Sequence, residues 1–247
     1  MFNTTTILFT LTGGILPALI WLSFWLKEDS VHPEPKRLIF LTFIYGALSV
    51  PFAFAIQLLV NKFLFVGVDV HAIFENTAYF SVSGVLMLAV WAFSEELVKY
   101  FAAYHGGLKK EDNDEAVDDM IYMISAALGF AAIENALFIF GPLLTGDTEI
   151  AIATSNLRFI GASLLHVSTA SIIGAFRAFS HFKTNQIKNS YILSGFILAI
   201  GLHTAFNLFI IKNAEGAFKA FSIVWIIIII IILIFERVKK IYVEKIK

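Results

Sequence analysis

Long apolar runs separated by short polar stretches set the pattern of this chain. A helix that crosses about 30 Å of hydrocarbon needs roughly 20 mostly apolar residues. Seven runs meet that length, at approximately 4–26, 38–60, 79–104, 120–144, 157–180, 191–211 and 217–235. The last contains Trp225 followed by an unbroken run of isoleucines, a sequence suited to facing lipid. The first is too long for a signal-peptide core, has no basic residue before it and lacks an A-x-A site before Lys27, so it reads as a retained helix. The pattern predicts an all-α polytopic transmembrane bundle in one domain over 1–247, with no internal repeat. Between the second and third runs, 61–78 carries Phe63, Leu64, Phe65, Val66 and Val68 and then Asp69, His71 and Glu75, and reads as an interfacial or re-entrant segment.

Composition agrees with the pattern. Of 247 residues, 58% are hydrophobic and 15% charged, whereas soluble domains carry about 25% charged residues. Cysteine is absent, which excludes a disulfide framework, a thiolate nucleophile and a Cys-ligated metal. A net charge of −1 gives no footprint for nucleic acid. Lys and Arg concentrate in 27–37, 105–119, 177–190 and 236–247. The opposite connections hold only Lys62, Arg158, Lys212 and Lys219. That bias predicts a multi-pass protein of the cell membrane with its N-terminus outside and its C-terminus inside.

An ionisable group deep in a span is expensive, and so marks a functional site by default. Glu95, Glu96, Glu134, His166 and His203 are such groups. Counted from the cytoplasmic ends of their spans, at 1.5 Å per residue, Glu95, Glu134, His166 and His203 lie at depths of roughly 14, 21, 21 and 18 Å. Separate structural hydrogen bonds need no common depth; one polar cavity does. Lys99 is i+4 from Glu95 and i+3 from Glu96 and is able to pair with either. Adjacent carboxylates point about 100° apart on a helix, so one is expected to take Lys99 while the other faces the cavity. Asn135 follows Glu134, Asn207 is i+4 from His203, and Thr169 and Gly174 share the face of His166. A bland reading exists for each taken singly: a buried ion pair at Lys99, interhelical hydrogen bonds at the histidines and asparagines. The acidic stretch 111–119 reads as a solvated connector rather than a metal site.

Elimination narrows the chemistry. There is no cysteine, no aspartate inside a span and no H-E-x-x-H pattern, and Gly161-Ala162-Ser163 lacks the second glycine of a nucleophile elbow, with Leu165 in its place. What remains is water activated by carboxylate and imidazole, with or without a metal. In the metal version Glu134, His166 and His203 hold Zn²⁺, with Glu95 or Glu96 as base and Asn207 or Asn135 orienting the oxyanion or a ligand. In the metal-free version Glu95 or Glu96 acts with His166, and His203 with Asn207 holds the oxyanion.

Several motifs, in order along the chain, resemble those of the PrsW family of intramembrane proteases. They are Asp29…Pro33-Glu34-Pro35, Ser94-Glu95-Glu96-Leu97-Val98-Lys99, Asp118…Tyr122…Gly129-Phe130-Ala131-Ala132-Ile133-Glu134-Asn135, His166 with Thr169 and Gly174, and His203-x-x-x-Asn207. The resemblance covers roughly residues 29–207. It implies a bacterial inner-membrane peptidase of the glutamate type, distantly related to the CAAX-prenyl-protease and bacteriocin-processing group, with Glu95, Glu96, Glu134, His166 and His203 at the site. It also implies a single-span membrane protein as substrate, such as a membrane-anchored anti-sigma factor cut on its extracytoplasmic side. The competing class is a proton-coupled transporter or channel using the Glu/His/Lys relay. Against it, Pro17, Pro33, Pro35, Pro51 and Pro142 break none of the four polar helices internally except near one end, and paired repeats are absent from the sequence.

Overall fold

The computed structural model describes residues 4–30, 32–65, 81–212 and 214–246. These form seven helices and, among the described residues, no strand. They are α1 (Thr4–Trp25), α2 (Lys36–Leu64), α3 (Val82–Ala103), α4 (Ala116–Leu144), α5 (Thr148–Phe179), α6 (Asn185–Lys212) and α7 (Ala214–Ile246). A π-helical turn, Tyr104–Leu108, extends α3, and another, Arg158–Ala162, lies within α5. In hydrocarbon every backbone N–H and C=O must be satisfied within the protein, and helices do this segment by segment. The seven runs of the sequence correspond one to one with these helices. Six are long and apolar enough to cross a membrane by length and composition. The seventh, α3, has 22 residues and carries Glu95, Glu96 and Lys99 in its C-terminal half, which lowers its hydropathy. Of the 61–78 stretch, 61–65 end α2 and the rest lies outside the described residues.

The bundle is built around α4 and α5. In each, 78% of the most apolar stretch is buried, against 17–33% in α1, α2, α6 and α7. Side chains such as Phe40, Leu48, Phe52, Leu198 and Leu233 point outward, as expected for a lipid-facing surface. Small residues let the inner helices approach. Gly46 of α2 lies against the backbone of Ala126 in α4, and Gly129 of α4 against the backbone of Phe43, so a Cβ on either would overlap main-chain atoms of its neighbour. Gly174 of α5 meets Met120 of α4 in the same way, with Cα 2.9 Å from an added Cβ.

Two boundaries depart from expectation. The fourth helix begins at Ala116, not near Met120, under a capping box in which Glu115 and Asp118 bond reciprocally to each other's backbone. Asp118 and Asp119 therefore enter the first helical turn and are buried. Asp119 is paired with Arg177 at 2.6 Å and His181 at 2.8 Å. Only the first part of 111–119 is a solvated connector, with Glu111, Asp112 and Asp114 exposed. The fifth helix begins at Thr148, capped by the Asp147 side chain accepting from the Ile150 N–H at 3.1 Å. Arg158 thereby lies inside the helix rather than at its first turn.

Candidate active site

The four polar helices meet at a cavity of about 230 Å³ lined by Gln57, Glu95, Glu134, Arg158, His166, His203 and Asn207 among apolar neighbours. Glu95, Glu134, His166 and His203, alike in depth along their separate spans, are thus brought together. A larger groove of about 600 Å³ between α2 and α3 is lined mostly by apolar side chains, including Phe52, Leu97 and Phe101, and contains none of these groups.

The neighbouring glutamates of α3 divide as their 100° separation requires. Glu96 is fully buried, and its Oε1 accepts from Lys99 Nζ at 2.6 Å and from His203 Nδ1 at 2.7 Å. Glu95 faces the cavity. Its Oε1 accepts from Gln57 Nε2 at 3.1 Å, while its Oε2 is buried without a hydrogen-bond partner. Lys99 also reaches His166 Nδ1 at 3.2 Å and Thr169 Oγ1 at 3.5 Å, and sits 5.6 Å from the centre of the Phe130 ring.

These contacts assign proton positions. A carboxylate only accepts, so His203 donates from Nδ1 to Glu96, and its Nε2 lies 3.5 Å from Glu95 Oε2. A lysine ammonium only donates, so His166 Nδ1 accepts from Lys99 and its Nε2–H donates to Glu134 Oε2 at 2.9 Å. Glu134 Oε2 also takes Arg158, whose Nε donates to Asn135 Oδ1 at 2.6 Å. The Arg158 guanidinium lies 4.0 Å from the Phe138 ring centre, and Asn135 Nδ2 donates to Ser163 Oγ at 3.0 Å. Glu134 and Asn135 are therefore locked by one arginine from α5. Asn207 lines the cavity one turn beyond His203.

Glu95, Glu134 and His166 each offer one donor atom within 4.8 Å of the other two, a buried arrangement able to hold a metal ion. The sequence pointed to Glu134, His166 and His203 for that role. His203 stands beside this trio through its 3.5 Å approach to Glu95. Two cavity residues escape sequence reasoning. Gln57 is uncharged and signals only as an amide in a span, and Arg158 sits at the edge of an apolar run.

The chain matches the profile of the PrsW family intramembrane metalloproteases over residues 34–234. It belongs to the PrsW family. The matching region takes in α2 to α6 and every cavity residue named above. Proteins named Protease PrsW are similar to it along most of their length. That of Oceanobacillus iheyensis is 30% identical over 215 residues, covering 87% of this chain and 86% of the relative. That of Geobacillus kaustophilus is 26% identical over 197 residues, covering 80% and 77%. That of Clostridioides difficile is 26% identical over 224 residues, covering 89% and 84%. No solved structure matches the chain. The chain is thus a PrsW-type peptidase of the intramembrane metalloprotease class, and these matches do not favour a transporter or channel.

Proposed function

We propose that this PrsW-type peptidase hydrolyses a peptide bond in or near the membrane segment of a single-span, membrane-anchored protein of the bacterial plasma membrane, with Glu95 as the general base. The motif resemblance favours an anti-sigma factor as that substrate. The observation that carries the reading is Glu95 Oε2: a buried carboxylate oxygen without a hydrogen-bond partner, lining a cavity in which Glu134, His166 and Arg158 are already hydrogen-bonded.

A zinc ion would be held by Glu134 and His166, whose donor atoms lie within 4.8 Å of each other, with His203 moving in from beside Glu95 as the third ligand. His203 already has the carboxylate–histidine arrangement that fixes a ligand's tautomer. To ligate through Nε2, His166 would have to carry its proton on Nδ1 instead, so Lys99, which now donates there, would turn away or give up a proton. The ion would supply Lewis-acid polarisation of the water and of the scissile carbonyl.

The chain's own residues account for the proton traffic. Gln57 fixes Glu95 through Oε1, leaving Oε2 to take a proton from water as the water oxygen bonds to the carbonyl carbon. Glu95 then returns that proton to the amide nitrogen as the C–N bond breaks. Arg158 and Asn207 are the donors on the cavity wall suited to the developing oxyanion. Glu96 and Lys99 are positioning residues: they do not line the cavity and hold the two imidazoles in register.

Purified full-length protein in liposomes with a single-span reporter tests this reading. Cleavage by the wild type, falling at least about 100-fold in Glu95→Gln with an unchanged melting temperature, is the expected result. Glu95→Gln cleaving at the wild-type rate would overturn it, as would dissipation of a pH gradient without any cleavage.

A further inference from the structure

A second polar centre lies apart from the cavity. Asp29 follows α1, Glu34 precedes α2 in Pro33-Glu34-Pro35, and Asp118 stands in the first turn of α4. They are 4%, 9% and 1% exposed, and one carboxylate oxygen of each lies within 4.8 Å of the other two. Each carboxylate has one engaged oxygen. Asp29 Oδ2 accepts from the Glu34 N–H at 3.1 Å, Glu34 Oε2 accepts from the Tyr122 hydroxyl, and Asp118 Oδ2 accepts from the Glu115 N–H at 2.7 Å. Asp118 Oδ1 is buried and meets no N–H or hydroxyl donor, and the Asp118 carboxyl faces that of Glu34.

No compensating charge among the described residues makes direct contact; His32 and Lys239 act on Asp29 from a distance. Among the described residues, no Lys or Arg makes an ion pair with any of the three. Lys239 is engaged by Glu28 and Glu236, and His32 pairs with Glu115 at 2.6 Å. Burial pushes the Asp29 carboxyl up to about 6 and that of Glu34 up to about 7. Buried charges persist when paired or when they coordinate a metal. An all-oxygen donor set without imidazole or thiolate selects a hard cation.

We propose that Asp29, Glu34 and Asp118 bind one hard divalent cation, Mg²⁺ or Ca²⁺, which clamps the α1–α2 connection onto the first turn of α4. Asp118 Oδ1 supplies the open ligand position, and the other two carboxylates bring the ends of α1 and α2 to it. The ion thereby fixes where α4 starts relative to α2, the helix pair that delivers Glu134 and Gln57 to the cavity. The centre contains no histidine and shares no residue with the cavity, so it stands or falls apart from the assignment of the active site.

The test uses metal-stripped, full-length protein in detergent with Mn²⁺ as an electron-paramagnetic-resonance probe and Mg²⁺ and Ca²⁺ as competitors. Glu134→Gln serves as the background in which cavity binding is impaired. The expected result is one bound Mn²⁺ retained by Glu134→Gln, displaced by Mg²⁺ or Ca²⁺, and lost in Asp118→Asn and in Glu34→Gln. Mg²⁺ or Ca²⁺ at a hundred times Kd raises the wild-type melting temperature by about 5–10 °C. If neither carboxylate variant folds, the wild type and Glu134→Gln still decide, by retention of a competed Mn²⁺ together with that thermal shift. The proposal is overturned if millimolar Mn²⁺ does not bind, if binding survives both carboxylate variants, or if binding disappears in Glu134→Gln. Absence of a thermal shift with Mg²⁺ and Ca²⁺ overturns it as well, and leaves the carboxyls sharing protons.

Discussion

Replacing Lys99 with methionine probes the part of the site on which both histidines depend. The lysine is fully buried, and its ammonium is the only cation bonded to Glu96, at 2.6 Å, among the described residues. Lys99→Met keeps most of the side chain's volume but leaves Glu96 as a buried carboxylate supported only by His203. Breaking one partner of a buried pair costs about 3–5 kcal/mol, which at 1.4 kcal/mol per tenfold lowers the folded-to-unfolded ratio by about two to three and a half powers of ten. Glu96→Gln on top of Lys99→Met removes the orphaned charge and still offers His203 an amide oxygen, so the double variant is expected to regain much of the loss. Equilibrium unfolding in mixed detergent–SDS micelles measures all four corners of the cycle, and the coupling should exceed the ~0.5 kcal/mol within which independent sites add. Lys99 also fixes His166, so turnover in the double variant should stay low even where stability returns. A Lys99→Met protein as stable as the wild type would refute this account of the pair. So would a double variant whose loss equals the sum of the single losses.

Other outcomes follow from the same geometry. Gly46→Ala should lower stability by about 1–3 kcal/mol, because overpacked interfaces cost that much and its Cβ meets the Ala126 backbone; Gly141→Ala, with nothing within 4 Å, should be neutral in the same thermal assay. Prolonged chelation should abolish cleavage of the liposome reporter and Zn²⁺ should restore it; full cleavage by protein shown to be metal-free by elemental analysis would remove the zinc from the mechanism. A cysteine placed at Lys109, the chain having none of its own, should react with an impermeant reagent only from the cytoplasmic side; labelling from outside intact cells would reverse the proposed orientation.

The spans and the meeting of Glu95, Glu134, His166 and His203 were legible because hydrocarbon makes each such residue expensive and therefore conspicuous. Which of two adjacent glutamates faces the cavity was not. That depends on the rotation of α3 against α6, and a local sequence says that the two differ by about 100° but not where zero lies. Gln57 was hidden because an uncharged amide in a span is common enough to pass for interhelical packing. Arg158 was hidden by hydropathy: 148–156 is too polar to extend the apolar run, yet it is helical because Asp147 caps it. The buried start of α4 was missed for a related reason, since Glu115-x-x-Asp118 departs from the Ser/Thr-x-x-Glu form of a capping box.

Charge balance ties the site to its chemistry. Glu95, Glu96 and Glu134 share the cavity region with two fixed cations, Lys99 and Arg158, and with the imidazoles of His166 and His203. Three carboxylates against two cations leave one unit unbalanced. Lys99 is taken by Glu96 and Arg158 by Glu134, so the carboxyl left without a fixed cation, among the described residues, is Glu95, which faces the Gln57 amide and His203 Nε2. A purely structural network gains nothing by leaving that charge over, because an unpaired buried carboxylate is destabilising at any depth. A hydrolytic site gains from it, since a general base must be free to accept a proton and an unpaired carboxylate helps a metal site retain a dication. The resting structure keeps both options on the same oxygen side of Glu95, facing His203 Nε2, and closes them at Glu96 by burying it completely.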